Sequence, residues 1–112
     1  MKVARYTDVT SNDENALYSA LEKQPISVAI DASSIMYYHD GVITKDYCNF
    51  KSLDHGVLLT GYKVDSEYYI PYWDVKNSWG ENWGQQGYMK IEAFTGGQGA
   101  CGIAINPSYP SI

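Results

Sequence analysis

Strand-like stretches separated by short turns constrain this chain most. Ile26–Ile30 alternates, with Ile26, Val28 and Ile30 on one face. His55–Val64 is rich in valine and leucine, residues 68–76 form another β-rich run, and Tyr88–Glu92 alternates again. Residues 41–43 predict a brief strand. Turns of this length leave no room for crossovers, so successive strands should pair antiparallel. Pro71 inside the 68–76 run implies an edge, a bulge or an approach segment there.

One helix precedes the strands. Ser11-Asn12-Asp13-Glu14 fits a capping box, with Ser11 as the N-cap and Glu14 as its reciprocal partner. Leu17, Ala20 and Leu21 then share a face at helical spacing, and Pro25 closes the segment. About three turns of helix must dock on something to persist. Residues 1–10 read as an extended lead-in, and residues 31–54 as mostly irregular with a helical turn near 34–38. Residues 96–99 read as a glycine-rich turn and residues 102–110 as an extended tail. The predicted class is α+β: a mainly antiparallel, partly barrel-like sheet with an N-terminal helix packed on it, forming a single β-rich domain over residues 1–112.

Composition narrows the function. The chain has 112 residues, 45% of them hydrophobic, which suits one globular domain. Eleven tyrosines and three tryptophans suit strands, and interfaces where a ring is buried and its polar end stays wet. The net charge is −5, with no basic patch to neutralise phosphates, which argues against a nucleic-acid partner. No stretch approaches the roughly 20 apolar residues of a membrane span, so no membrane partner is expected. Residues 1–6 lack the apolar core of a signal peptide. Cys48 and Cys101 leave two options, a disulfide or a pair of buried free thiols. The spacing of His39, Cys48, His55 and Cys101 does not suit zinc, so neither a metal nor any other cofactor is expected.

His55 opens an apolar strand between Asp54 and Gly56. Alone it reads more readily as a structural residue than as a base, although Gly56 leaves room for a ligand to approach. Asn77 alone reads as a turn residue before Ser78-Trp79-Gly80. The pair says more. The two lie 22 positions apart (77 − 55) on consecutive strands, which antiparallel pairing can bring together. An amide oxygen accepting from one imidazole nitrogen would fix the ring, leaving the other nitrogen to face a nucleophile. Trp73 reads as core. Trp79 and Trp83 sit in a turn where Gly80, Gly84 and Gly87 permit tight backbone; the rings either fill space or, in the case of Trp79, cover the His55–Asn77 bond and exclude water from it.

At this point the chain resembles the papain-like cysteine proteases, the family of papain and the lysosomal cathepsins. Gln24-Pro25-Ile26-Ser27-Val28-Ala29-Ile30-Asp31-Ala32 is similar to the strand opening that family's C-terminal domain. Leu53-Asp54-His55-Gly56-Val57 with Thr60-Gly61-Tyr62 resembles the catalytic-histidine strand. Val75-Lys76-Asn77-Ser78-Trp79-Gly80 through Trp83-Gly84 and Gly87-Tyr88 resembles the catalytic-asparagine segment, the most specific match. Cys101-Gly102-Ile103-Ala104 and Ser108-Tyr109-Pro110 resemble the family's C-terminus.

The resemblance implies roles. His55 would be the base and Asn77 its orienter. Trp79 would shield their bond, with Trp83 in support. Asp54 would offer backbone contacts to substrate, and Ala29, Gly56 and Asn106 would line the pocket for the second residue before the scissile bond. Cys48 and Cys101 match two cysteines that the family joins to each other. The family's nucleophile lies in a Cys-Gly-Ser-Cys-Trp-like stretch that has no counterpart here. The expectation is therefore the C-terminal half of a cysteine endopeptidase, inactive alone and completed by an N-terminal, Cys-bearing half, with peptide or protein substrates, a protein inhibitor as a further partner, and a lysosomal, vacuolar or extracellular setting. The alternative is a non-catalytic peptide- or protein-binding module; a third reading is a fragment that dimerises to cover an apolar face.

Overall fold

The computed structural model describes residues 5–48 and 51–111. In chain order these form β1 (Arg5–Asp8), α1 (Glu14–Leu21), β2 (Ile26–Ile30), β3 (Val42–Ile43), β4 (His55–Val64), β5 (Pro71–Lys76), β6 (Tyr88–Glu92), a short 3₁₀ turn (Ala100–Gly102) and β7 (Ser108–Ser111). The strands make one sheet in the order β1-β7-β2-β4-β5-β6-β3. The α+β, mainly antiparallel description holds. The exception is β3, which pairs parallel to β6 through Val42↔Lys90 and Ile43↔Ile91. The long irregular stretch before β4 lets β3 cross to the far edge, a freedom that the short turns elsewhere withhold.

Alternation explains the core. Ile26, Val28 and Ile30 of β2 are buried, as are Val57 and Leu59 of β4, Trp73 and Val75 of β5, and Met89 and Ile91 of β6. Leu17 of α1 completes this cluster. Burying a side chain of this size stabilises by roughly 1.5–3 kcal/mol, so this shared face is the main source of stability. No helix among the described residues is long and apolar enough to cross a membrane.

The start of α1 differs from the predicted capping box. Asp13, not Ser11, is the N-cap, and its carboxylate accepts from Ala16 N–H at 3.1 Å. Ser11 Oγ–H donates to Ile105 O instead, tying the lead-in to the tail. Glu14 is only 6% exposed. Its Oε1 accepts from Trp73 Nε1–H at 3.0 Å and Phe94 N–H at 2.9 Å, and its Oε2 from Gly96 N–H at 3.2 Å. Donors buried against an apolar core have a stronger claim on a carboxylate than a solvated helix end does. The helix ends at Leu21, before Pro25, where Gln24 Nε2–H donates to Ala20 O at 2.6 Å. Residues 68–70 also fall outside the expected strand. Asp65 Oδ2 accepts from Glu67 N–H and Tyr68 N–H in the turn, and β5 begins at Pro71, where a missing N–H costs least.

Candidate active site

The sheet register brings His55 and Asn77 together. β4 pairs with β5 through Leu58↔Lys76. Continuing that register by one residue would set Asn77 opposite Val57, with His55 as its diagonal neighbour on the same face. Asn77 has already left the ladder; its N–H donates to Gly87 O at 2.9 Å. The two side chains meet, with His55 Nε2 2.7 Å from Asn77 Oδ1.

The protonation pattern follows from a second bond. Ser78 N–H donates to the same Asn77 Oδ1 at 2.7 Å. A backbone amide can only donate, so the oxygen of the carboxamide must face it. His55 Nε2 therefore carries the hydrogen in this bond, and Nδ1 is the nitrogen free for chemistry. Asn77 is 5% exposed, and its Nδ2 is buried without a partner among the described residues. Such a group carries a desolvation cost of about 1–3 kcal/mol.

Trp79 lies over the couple, its ring 5.0 Å from that of His55 and inclined at 32°. It remains 40% exposed, so its outer face is uncovered in this chain. Trp83 meets Trp79 edge-on at 5.3 Å and packs on Tyr38 at 5.5 Å. Its Nε1–H is shared between Ile35 O and Met36 O, both at 3.3 Å. The loop carrying the two indoles depends on glycine at Gly84 and Gly87, with φ of +59° and +90°. A Cβ at Gly84 would sit 2.7 Å from Tyr88 O and 3.1 Å from the Tyr38 ring. Burial pushes the Tyr38 phenol up to about 12, so it stays neutral and donates to Gly41 O at 2.6 Å.

The remaining predicted positions separate. Ala29 pairs with Gly56 across β2 and β4, so these two are adjacent. A groove of about 460 Å³ runs over Ser27, Gly56, Leu58, Lys76, Asn77 and Ser78, but neither Ala29 nor Asn106 lines it. Asn106 is exposed and lies just before β7, whose pairing with β2 is Ser27↔Ser108. A Cβ at Gly56 would meet nothing within 4 Å, so packing within this chain does not require glycine there. Asp54 uses its side chain as well as its backbone: Oδ1 accepts from Ala32 N–H at 2.9 Å, and its N–H donates to Ile30 O at 3.2 Å.

Cys48 and Cys101 form a disulfide. This resolves the two options left open by the sequence, and removes both from any metal-ligand set.

Asp31 is the residue the sequence reading passed over. It is 1% exposed and lies beneath Ser33, Lys51 and Ser52. Oδ1 accepts from Ser33 N–H at 2.9 Å and Ser33 Oγ–H at 2.6 Å, and Oδ2 from Lys51 N–H at 2.8 Å and Ser52 N–H at 3.2 Å. The Ser33 hydroxyl and amide, aided by the two further amides, hold its carboxyl well below the usual carboxylate range despite burial. An aspartate closing a strand before Ala-Ser-Ser is a turn signal that could have flagged it.

The model for papain family cysteine proteases matches residues 1–111. The chain belongs to this family. It is 48% identical over 108 residues to cysteine proteinase EP-B 1 of Hordeum vulgare, covering 94% of this chain and 28% of that protein. Against cathepsin L of Sarcophaga peregrina it is 44% identical over 110 residues, 96% of this chain and 32% of the relative. Bromelain protease of Ananas comosus, solved in complex with the E64 inhibitor, superposes with a TM-score of 0.90 at 41% identity, covering 98% of this chain and 51% of that one. The chain thus spans about a third or less of these two curated relatives, and about half of the bromelain chain.

Proposed function

We propose that this papain-family chain supplies the base and its orienter for peptide-bond hydrolysis, and that the thiol comes from a Cys-bearing half. The carrying observation is the 2.7 Å contact between His55 Nε2 and Asn77 Oδ1 beneath Trp79. An amide is the fitting third member here. A thiolate–imidazolium pair balances its own charge, so a neutral acceptor can orient the ring without adding a third ion.

The steps divide between the halves. The partner's thiolate attacks the substrate carbonyl, and the amine leaves with a proton delivered from His55 Nδ1. His55 then takes a proton from water, whose oxygen attacks the thioester; the C–S bond breaks, releasing the acid and restoring the thiolate–imidazolium pair. Throughout, Nε2–H stays on Asn77 Oδ1, so only Nδ1 exchanges protons with the reaction. Trp79 limits water at that bond, and Trp83, tethered to the Ile35–Met36 turn, supports Trp79 from the side. Asp54 presents its backbone beside the scissile bond. Ala29, Gly56 and Asn106 would be this half's share of the pocket for the second residue before that bond, roomy and with Asn106 as a polar floor; of the three, Gly56 lines the groove seen in this chain. The disulfide suits an oxidising setting, a lysosome, a vacuole or the outside of the cell.

With both cysteines bonded, the chain alone should not hydrolyse peptides. A fluorogenic peptide assay on the purified chain tests this, and thiol-dependent turnover would refute it. The same disulfide favours the second reading, a non-catalytic peptide-binding module. That reading gains if a Cys-bearing half binds the chain but the complex binds peptide without cleaving it.

A further inference from the structure

We infer that Asp31 is a positioning residue for His55, acting as a buried anionic clamp on the segment that delivers the imidazole to Asn77. This rests on the reading of His55 and Asn77 as base and orienter. Between the disulfide and His55, the chain must cross from the Cys48 loop to the first residue of β4. Asp31 sits at the other side of that crossing, immediately after Ile30, the residue that pairs with His55. Its Oδ2 gathers the N–H groups of Lys51 and Ser52. Two further bonds reinforce the crossing, Asp54 N–H to Ile30 O and Ala32 N–H to Asp54 Oδ1. The base of the clamp is itself fixed, because Asp31 N–H donates to Cys101 O at 2.9 Å beside the disulfide.

The chemistry of the side chain fits the task. An ionised carboxylate accepts from all four donors at once, with each oxygen serving one side of the crossing. A carboxamide of the same shape cannot, since its nitrogen would face donors on one side. The Ser33 side closes the local turn. The Lys51–Ser52 side sets the height at which the chain enters β4. His55 is the first residue of that strand, so a lost clamp is felt there before the paired residues behind it.

The test uses the chain as it is and reads the hydrogen bond rather than catalysis. His55 Nε2–H is followed by NMR, with the exposed His39 as the internal control. In Asp31→Asn, folded by circular dichroism, its solvent exchange should quicken by about tenfold or more while the His39 signals stay unchanged. Ser33→Ala, which weakens only the other side, should lower Tm and leave the His55 proton as it was. An Asp31→Asn protein that keeps wild-type exchange at His55 overturns the inference, whatever its Tm. If Asp31→Asn does not fold, native-state hydrogen exchange on the wild type decides. After correction for the intrinsic exchange rates of imidazole and amide, the His55 ring proton should be no better protected than the Lys51 and Ser52 amides, and a ring proton better protected than both refutes the clamp. Failure of the clamp leaves the catalytic reading intact, because that reading is judged by peptide turnover in the assembled protein.

Discussion

Glu14 and Asp31 are both buried carboxylates, held by three N–H donors at Glu14 and by three N–H donors and the Ser33 hydroxyl at Asp31, yet their surroundings differ. Glu14 lies within aromatic packing: Trp73, which it bonds, lies 5.5 Å from Tyr62 and 5.4 Å from Phe94, ring to ring. It joins the start of α1 to β5 and to the segment after β6. Asp31 lies under exposed residues at the end of β2, next to the strand that begins with His55. The same functional group thus closes the core in one place and, in the other, ties down the chain just before His55, the contact on which the proposed positioning role rests. What separates the two roles is what stands behind each donor: packed rings at Glu14, and a short span of chain leading to an imidazole at Asp31.

The largest loss is expected at Glu14. Glu14→Ala leaves the indole N–H and two backbone N–H groups without their acceptor, and should cost about 3–5 kcal/mol in urea unfolding. The His55 ring proton should be unaffected in whatever fraction stays folded. Opening the disulfide comes next. Replacing Cys48 and Cys101 with alanine should cost about 2–4 kcal/mol, measured the same way, because the bond closes a separation of 53 residues.

Acid sharpens the contrast at smaller amplitude. The carboxyl of Asp31 is held below its unfolded value, so its stabilisation is complete above about pH 4 and is lost as the pH falls through the folded value. Tm measured from pH 6 downward should therefore fall more steeply for the wild type than for Asp31→Asn, with the curves converging at the acid end. Parallel curves would show that the Asp31 charge adds no stability. The smallest effect is expected at Gly56. Gly56→Ala meets open space, so its stability should stay within about 0.5 kcal/mol of the wild type or rise slightly. In an assembled enzyme the same change should alter the preference for the second residue before the scissile bond, read with a peptide library.

Much of the fold was legible because the signal was local. Alternation at Ile26–Ile30 and Tyr88–Glu92 marks β2 and β6 at their observed bounds, and His55–Val64 is β4 as found. The errors lie where a distant partner decides. Glu14 looks like a capping residue until Trp73, 59 positions away, offers an indole N–H. The parallel pairing of β3 with β6 depends on the path of an irregular segment, which no periodicity encodes. The site divides the same way. The spacing of His55 and Asn77 follows from consecutive strands, and their contact from the register. Asp31 stayed hidden because its partners Lys51 and Ser52 donate through the backbone, which carries no residue-type signature.

The most direct measurement is intact mass after treatment with an E64-type thiol-directed inhibitor, with the disulfide left oxidised. The chain alone should gain no adduct. Combined with the Cys-bearing half of a papain-family relative, the adduct should form on that half, and should be lost when this chain carries His55→Ala. An adduct on this chain, or labelling of the partner that is indifferent to His55, would contradict the account.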